Sequence, residues 1–186
     1  MTLSPPARRL VLATHLAVSV GWLGALAAYI PLDLAAASSD DEATLRAAYL
    51  AMDMIARNAI VPLAVAALLT GVVISLGTRW GLVRHWWTLI SLLLSTLATL
   101  VLVLETRVIG AMATIAADPT ASADALRGLG NTLPHSIGGM LVLCVVLVLN
   151  VYKPSGLTPY GWRKLQQERR AAMSRRSEDR PSLLAS

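Results

Sequence analysis

Long apolar runs and short polar stretches alternate along this chain. The runs cover about residues 10–32, 55–76, 86–107 and 134–152. Polar stretches at 38–53 and 118–132 and a turn within 76–87 separate them. A helix needs roughly 20 apolar residues to cross a hydrocarbon core of about 30 Å. Each run is apolar on all sides rather than along one stripe, the pattern of a span rather than of a half-exposed helix. The expected fold is therefore all-α: a four-helix transmembrane bundle, up-down-up-down, over residues 1–153, followed by a basic tail at 154–186.

Local signals refine this outline. Arg8-Arg9 precede the first run as in a signal peptide, but the run exceeds the ~7–15 residues of such a segment, so it reads as a retained helix. Gly21, Gly24, Ala25 and Ala28 offer small surfaces for a neighbouring helix. Pro31 and Asp33 are expected to bring this helix out of the membrane, and Ser39 or Asp40 to cap the next one. Asp53 and Arg57 have ion-pair spacing, and Pro62 should bend the second span. The third helix should continue through Ile115, and Asp118-Pro119 should stop it. Pro134 suits a first helical turn, and Lys153-Pro154 ends the fourth span. In the tail, 163–176 reads as a short basic helix on the membrane surface and the last ten residues as unstructured.

Charge sets an orientation. With four spans both termini share a side, where Arg8, Arg9, Arg79, Arg84, Lys153 and the basic residues of the tail collect. The other side keeps only Arg46, Arg57, Arg107 and Arg127. The positive-inside rule then predicts cytoplasmic termini and a cytoplasmic central turn, in an inner or plasma membrane. The net charge of +5 thus follows from topology and from attraction to anionic lipid headgroups, and nucleic-acid binding is excluded as its explanation. Composition fits: 55% of the 186 residues are hydrophobic, and the aromatics are five Trp and four Tyr with no Phe, an interfacial set. Fourteen Arg against two Lys, with abundant Ala and Leu, suggests a GC-rich bacterial genome. The single Cys144 excludes an intrachain disulfide.

Ionisable groups within spans are the candidates for chemistry. His15 lies about 8 Å inside the cytoplasmic end at 1.5 Å per residue. It shares a face with Ser19 and Trp22. An imidazole there suits a haem or copper ligand, or a helix–helix hydrogen bond. His85, on the same side, is the better partner for it; His135 sits near the opposite face. Asp33, Asp53, Arg57, Glu105, Arg107 and His135 gather at the outer helix ends, as a binding site or ion entry or as ion pairs closing the bundle, with Arg57 placed to pair with Glu105. No phosphate-binding Gly loop, Ser–His–Asp set or His-x-x-Glu-His-type motif is present.

Three segments carry a resemblance: His15–Gly24, Ser75–Trp87 with its Arg79-Trp80-Gly81 and Trp86-Trp87, and Val151–Pro154. With the acidic first loop they resemble a group of uncharacterised four-span membrane proteins from GC-rich bacteria, over about residues 8–164. That group implies a fold but no activity. Its lysine shortly after the tryptophan pair is replaced here by Thr88-Leu89-Ile90-Ser91. His15, Trp22 and Gly24 are also similar to the first helix of copper-resistance D proteins and of HemJ-type protoporphyrinogen oxidase, which implies copper transport or haem-dependent oxidation. The leading expectation is a structural or interaction component of the membrane, not an enzyme. A haem- or copper-binding redox or transport protein using His15 comes second, and a small-molecule or proton transporter using the outer cluster third. Four spans are few for alternating access, so that last reading calls for a homo-oligomer. A reporter that is active only on the non-cytoplasmic side, fused at residue 80, is expected to be silent; an active fusion reverses the orientation.

Overall fold

The computed structural model describes residues 4–78 and 81–184, with side chains up to residue 174. Arg79 and Trp80 of the central turn lie outside the described residues. The helices are α1 (Pro5–Ser38), α2 (Glu42–Ile55), a π-helical turn (Ala56–Ile60), α3 (Val61–Gly77), α4 (Trp86–Ala117), α5 (Ala123–Arg127), α6 (Leu133–Tyr152) and α7 (Pro159–Leu184). Among the described residues there is no strand, only an isolated bridge between His85 and Leu157. Four stretches are long and apolar enough to cross a membrane: Pro5–Ser38, Glu42–Gly77, Trp86–Ala117 and Leu133–Tyr152.

The expected end of the first helix is corrected. Pro31 sits inside α1, which runs on to Ser38. A proline within a helix removes one donor, here from the carbonyl of Ala27. The last two turns persist because Asp33 is fully buried and held by the start of α6. The cap of α2 is Asp41 rather than Ser39 or Asp40, with its carboxylate accepting from the Thr44 N–H at 2.9 Å. Thr44 holds the Asp41 carboxyl below the usual range, through its hydroxyl first and its N–H second. Pro62 acts as a re-registration. It sits in the first turn of α3, and the turn ahead of it widens so that the Val61 N–H reaches the Ala56 carbonyl, five residues back. α2 and α3 thereby form one long element with a bulge where the proline removes a donor.

The interior mixes large side chains such as Leu45, Tyr49, Met52 and Ile60 with small ones, Ala48, Ala56, Ala64, Ala67 and Ala116, whereas many large apolar residues, Leu93, Leu97, Leu141 and Val151 among them, are exposed. In a bilayer, lipid tails solvate leucine, and helices associate by close backbone approach over small residues and by a few buried polar contacts. Cys144 faces outward on α6.

Contacts join the early part of one long helix to the late part of another. The His15 ring lies against Gly71, where a Cβ would come within 3.2 Å of it. Ser91 accepts a hydrogen bond from Asn150 at 3.2 Å. At the other end Asp33 meets Ser136, and Arg57 donates to the Thr106 carbonyl at 3.3 Å. The connection between α4 and α6 is ordered by two side chains of α2. Arg46 donates to the carbonyls of Ala116 in the last turn of α4 and of Asp118 and Ala121 just beyond it. Tyr49 donates to the Gly130 carbonyl at 2.7 Å.

The tail is tied to the central turn. The Thr158 N–H donates to the Arg84 carbonyl at 3.1 Å and its hydroxyl to that of Val83, while Trp86 N–H donates to the Gly156 carbonyl at 3.3 Å. Arg84 grips Glu168 with both guanidinium nitrogens, at 3.1 and 2.9 Å. That hydrogen bond holds the Glu168 carboxyl below its usual range. The pair is therefore complete above about pH 4.5, the ordinary value for a glutamate, and is lost only as pH falls through the lowered one. α7 extends past the expected 163–176 to Leu184; residues 185 and 186, the end of the stretch expected to be unstructured, lie outside the described residues. Gly161 packs so closely on the Arg84 backbone carbonyl that a Cβ would collide with it. Gly161→Ala is expected to release residues 156–162 from the turn, read as faster amide exchange at Thr158 and Trp162 with the exchange of α1 and α4 unchanged.

Candidate functional site

One end of the helix set is built around one carboxylate. Tyr29 and Asp33 are four residues apart on α1 and so share a face. Thr132 precedes α6, and Ser136 lies in its first turn. Asp33 accepts from the Thr132 N–H at 2.9 Å, the Thr132 hydroxyl at 3.0 Å and the Ser136 hydroxyl at 2.8 Å. The Tyr29 hydroxyl is 2.9 Å from Thr132 Oγ1. Thr132 has a single hydroxyl proton, directed at Asp33, so Tyr29 is the donor in that contact. All four residues are buried, with Asp33 at 0% exposure. Such a chain satisfies a buried charge, which is otherwise costly.

A cavity of about 260 Å³ adjoins this network. Its floor is α1, through Trp22, Leu26 and Tyr29, together with Ile60 of the π-helical turn. Its walls are α4 and α6. Leu97 and Val101, on the α4 wall, are also exposed, so the cavity opens sideways between α4 and α6 at mid-helix. Gly138 and Gly139 keep the α6 wall low, and a Cβ on Gly138 would meet nothing within 4 Å. The lining is apolar except at one end, where Glu105, His135, Thr132 and Ser136 are gathered. Glu105 Oε1 is 3.6 Å from His135 Nε2, longer than a hydrogen bond.

The six residues of the expected outer cluster thus divide into separate groups. Asp53 pairs with Arg57 at 2.6 Å along the helix, as their spacing implies. Arg57 then turns to the Thr106 carbonyl rather than to Glu105, and Gly110 is what leaves room for its guanidinium. Glu105 instead faces His135. Asp33 lies apart in the network with Thr132 and Ser136. Arg107 is exposed, about 200° around α4 from Glu105.

At the other end, His15 Nδ1 is 2.9 Å from Thr70 Oγ1 on α3. Thr70 directs its own proton to the Ala66 carbonyl at 2.7 Å, so His15 donates from Nδ1 and Nε2 keeps its lone pair. This is a hydrogen bond between helices, worth about 0.6 kcal/mol in a membrane protein. His85 precedes α4, and its ring lies 6.3 Å from that of Trp87. Among the described residues, no three His, Cys, Asp or Glu side chains converge as a metal-ligand set. Of the two roles the sequence offered for His15, a haem or copper ligand or a helix–helix hydrogen bond, the contact with Thr70 is the second kind.

Thr132, Ser136, Tyr29 and Thr70 were not singled out in the sequence. The Tyr29–Asp33 spacing was a usable signal, a polar stripe entering an apolar run. Nothing local marked Thr132 or Ser136, whose partner is about 100 residues away. No family model, curated protein or solved structure matches the chain.

Replacing Asp33 by Ala removes the acceptor of the Thr132 N–H and of the Thr132 and Ser136 hydroxyls in the interior. Asp33→Ala is expected to lower stability in detergent by about 3 kcal/mol, with Asp33→Asn milder, measured by equilibrium unfolding.

Proposed function

We propose that this chain is a four-span membrane protein, with both termini and the central turn in the cytoplasm, that takes a lipophilic small molecule from the bilayer into the cleft between α1, α4 and α6. The observation that carries this reading is the shape and chemistry of the cleft: it opens sideways through apolar helix faces and confines its polar groups to one end. Small-molecule sites are typically concave and apolar with a few convergent polar groups. A cleft that opens through faces suited to lipid is reached from the hydrocarbon phase, and an apolar cavity of this kind does not hold ordered water well. Orientation rests on the excess of Arg and Lys at the termini and central turn. It places the polar end, with Glu105 and His135, toward the outer leaflet. The basic α7, tied to the central turn, then lies beside the cytoplasmic leaflet, where Arg163, Lys164, Arg169 and Arg170 favour anionic headgroups.

This replaces a purely structural role as the preferred reading, because helix packing alone does not call for a lateral cleft with a polar end. The test is photoaffinity labelling in lipid nanodiscs with 3-azioctanol, a neutral diazirine alcohol. Adducts are expected to concentrate on the cleft faces of α4 and α6. Gly138→Leu fills open space and is expected to reduce them several-fold while leaving helicity intact. Adducts spread evenly over the outward Leu and Val faces, and unaffected by Gly138→Leu, refute the reading.

A further inference from the structure

The carboxylates around the cleft differ in how fully they are satisfied. Asp33 accepts three hydrogen bonds. Asp53 is neutralised by Arg57 at 2.6 Å. Glu105, among the described residues, receives no hydrogen bond, and its one ion-pair neighbour is His135, at 3.6 Å. Its side chain is 20% exposed and lines the cleft, so its acceptor capacity is directed at whatever enters. An ionised carboxylate has about four lone-pair sites. One loose imidazole contact leaves most of them open.

The surroundings add to this. Tyr29, on the cleft floor, is hydrogen-bonded to Thr132 beside Asp33, and Glu105 lines the same end. Arg57 offsets Asp53 but is turned away toward the Thr106 carbonyl. Among the described residues, His135 is the basic group that lines the cleft. The polar end therefore carries a negative potential in apolar surroundings, where screening by water is weak. The indole of Trp22 and the phenol ring of Tyr29 line the floor, and the faces of such rings attract cations. A neutral hydroxyl would use one acceptor site and leave the charge uncompensated. An anion would be repelled.

We infer that the occupant of the cleft is a lipophilic cation, an ammonium-type head on an apolar body, whose head is held by Glu105 over the rings of Trp22 and Tyr29 while the body lies between α4 and α6. This deepens the proposed function and rests on it. The head enters near the outer leaflet and takes the place of the imidazole beside Glu105. The body requires no specific pairing, since the lining away from the polar end is apolar, mostly Leu, Ile, Val, Ala and Gly. Selectivity therefore lies in the sign of the head and not in the detailed form of the tail.

The experiment uses the full chain in zwitterionic nanodiscs. Octyltrimethylammonium, 1-octanol and octanoate compete against 3-azioctanol, with labelling read on the α6 peptide and competitor concentrations expressed in the membrane phase. The three share one chain and differ in the charge of the head. Octyltrimethylammonium is expected to compete at about tenfold lower concentration than 1-octanol, a typical gain for an ion pair with cation–π contact out of water, with octanoate weakest. Glu105→Gln is expected to bring the cation to the level of the alcohol. The order in the unsubstituted protein tests the inference even if that variant does not fold. If 1-octanol or octanoate competes as well as the cation at a cleft that Gly138→Leu closes, the cation is refuted and the cleft stands. If labelling is not confined to the cleft, both proposals fall. A tenfold preference that persists in Glu105→Gln also overturns the role of Glu105.

Discussion

One buried carboxylate organises the end of this protein where α1 meets the start of α6. Asp33 sits at 0% exposure on an element otherwise suited to lipid. An ion in that position is tolerated only when fixed donors replace its water. The donors come from the other end of the chain: the backbone and hydroxyl of Thr132 and the hydroxyl of Ser136. The same three contacts carry α1 past Pro31, set the first turn of α6 against α1, and position Tyr29 at the floor of the cleft. The rest of that end is arranged around this constraint. Arg46 and Tyr49 fold the 118–132 connection so that Thr132 arrives where Asp33 needs it.

A second constraint is the scarcity of hydrophobic drive between helices in lipid. Packing is achieved by approach over Ala48, Ala64, Ala67 and Ala116, and by sparse polar contacts such as His15–Thr70 and Asn150–Ser91. Where small residues meet large ones the helices close, as at Gly21 against Leu63. Where α6 presents Gly138, with nothing within 4 Å of a Cβ there, they do not, and the cleft remains. A site can thus arise from the same small residues that hold the bundle together, because a glycine with no facing side chain leaves a gap.

The central turn and the tail form one unit at the opposite end. The carbonyls of Val83 and Arg84, left free before α4 begins, are met by Thr158, and Gly161 permits the backbone approach. A turn rich in Arg and Trp reads in isolation as an orientation anchor. Its contacts give it a second role as the seat for α7. His85 takes part through its backbone bridge to Leu157.

The sequence by itself marked the four apolar stretches long enough to cross a membrane, because solvation of a bilayer-spanning helix depends on the local run of apolar residues; the helices themselves run past the expected limits, to Ser38, from Glu42 and to Ala117. It also marked Asp53–Arg57, a pairing four residues apart that the helix enforces. The end of α1, the grouping of the outer charges and the state of His15 were decided by tertiary structure. Pro31 and Asp33 look like a helix exit until Thr132 and Ser136, about 100 residues away, are brought beside them. Arg57 and Glu105 look like partners until helix rotation gives Arg57 the Thr106 carbonyl and Glu105 the imidazole of His135. Which buried charge is saturated and which remains open depends on partners distant in sequence, and only packing brings those partners together.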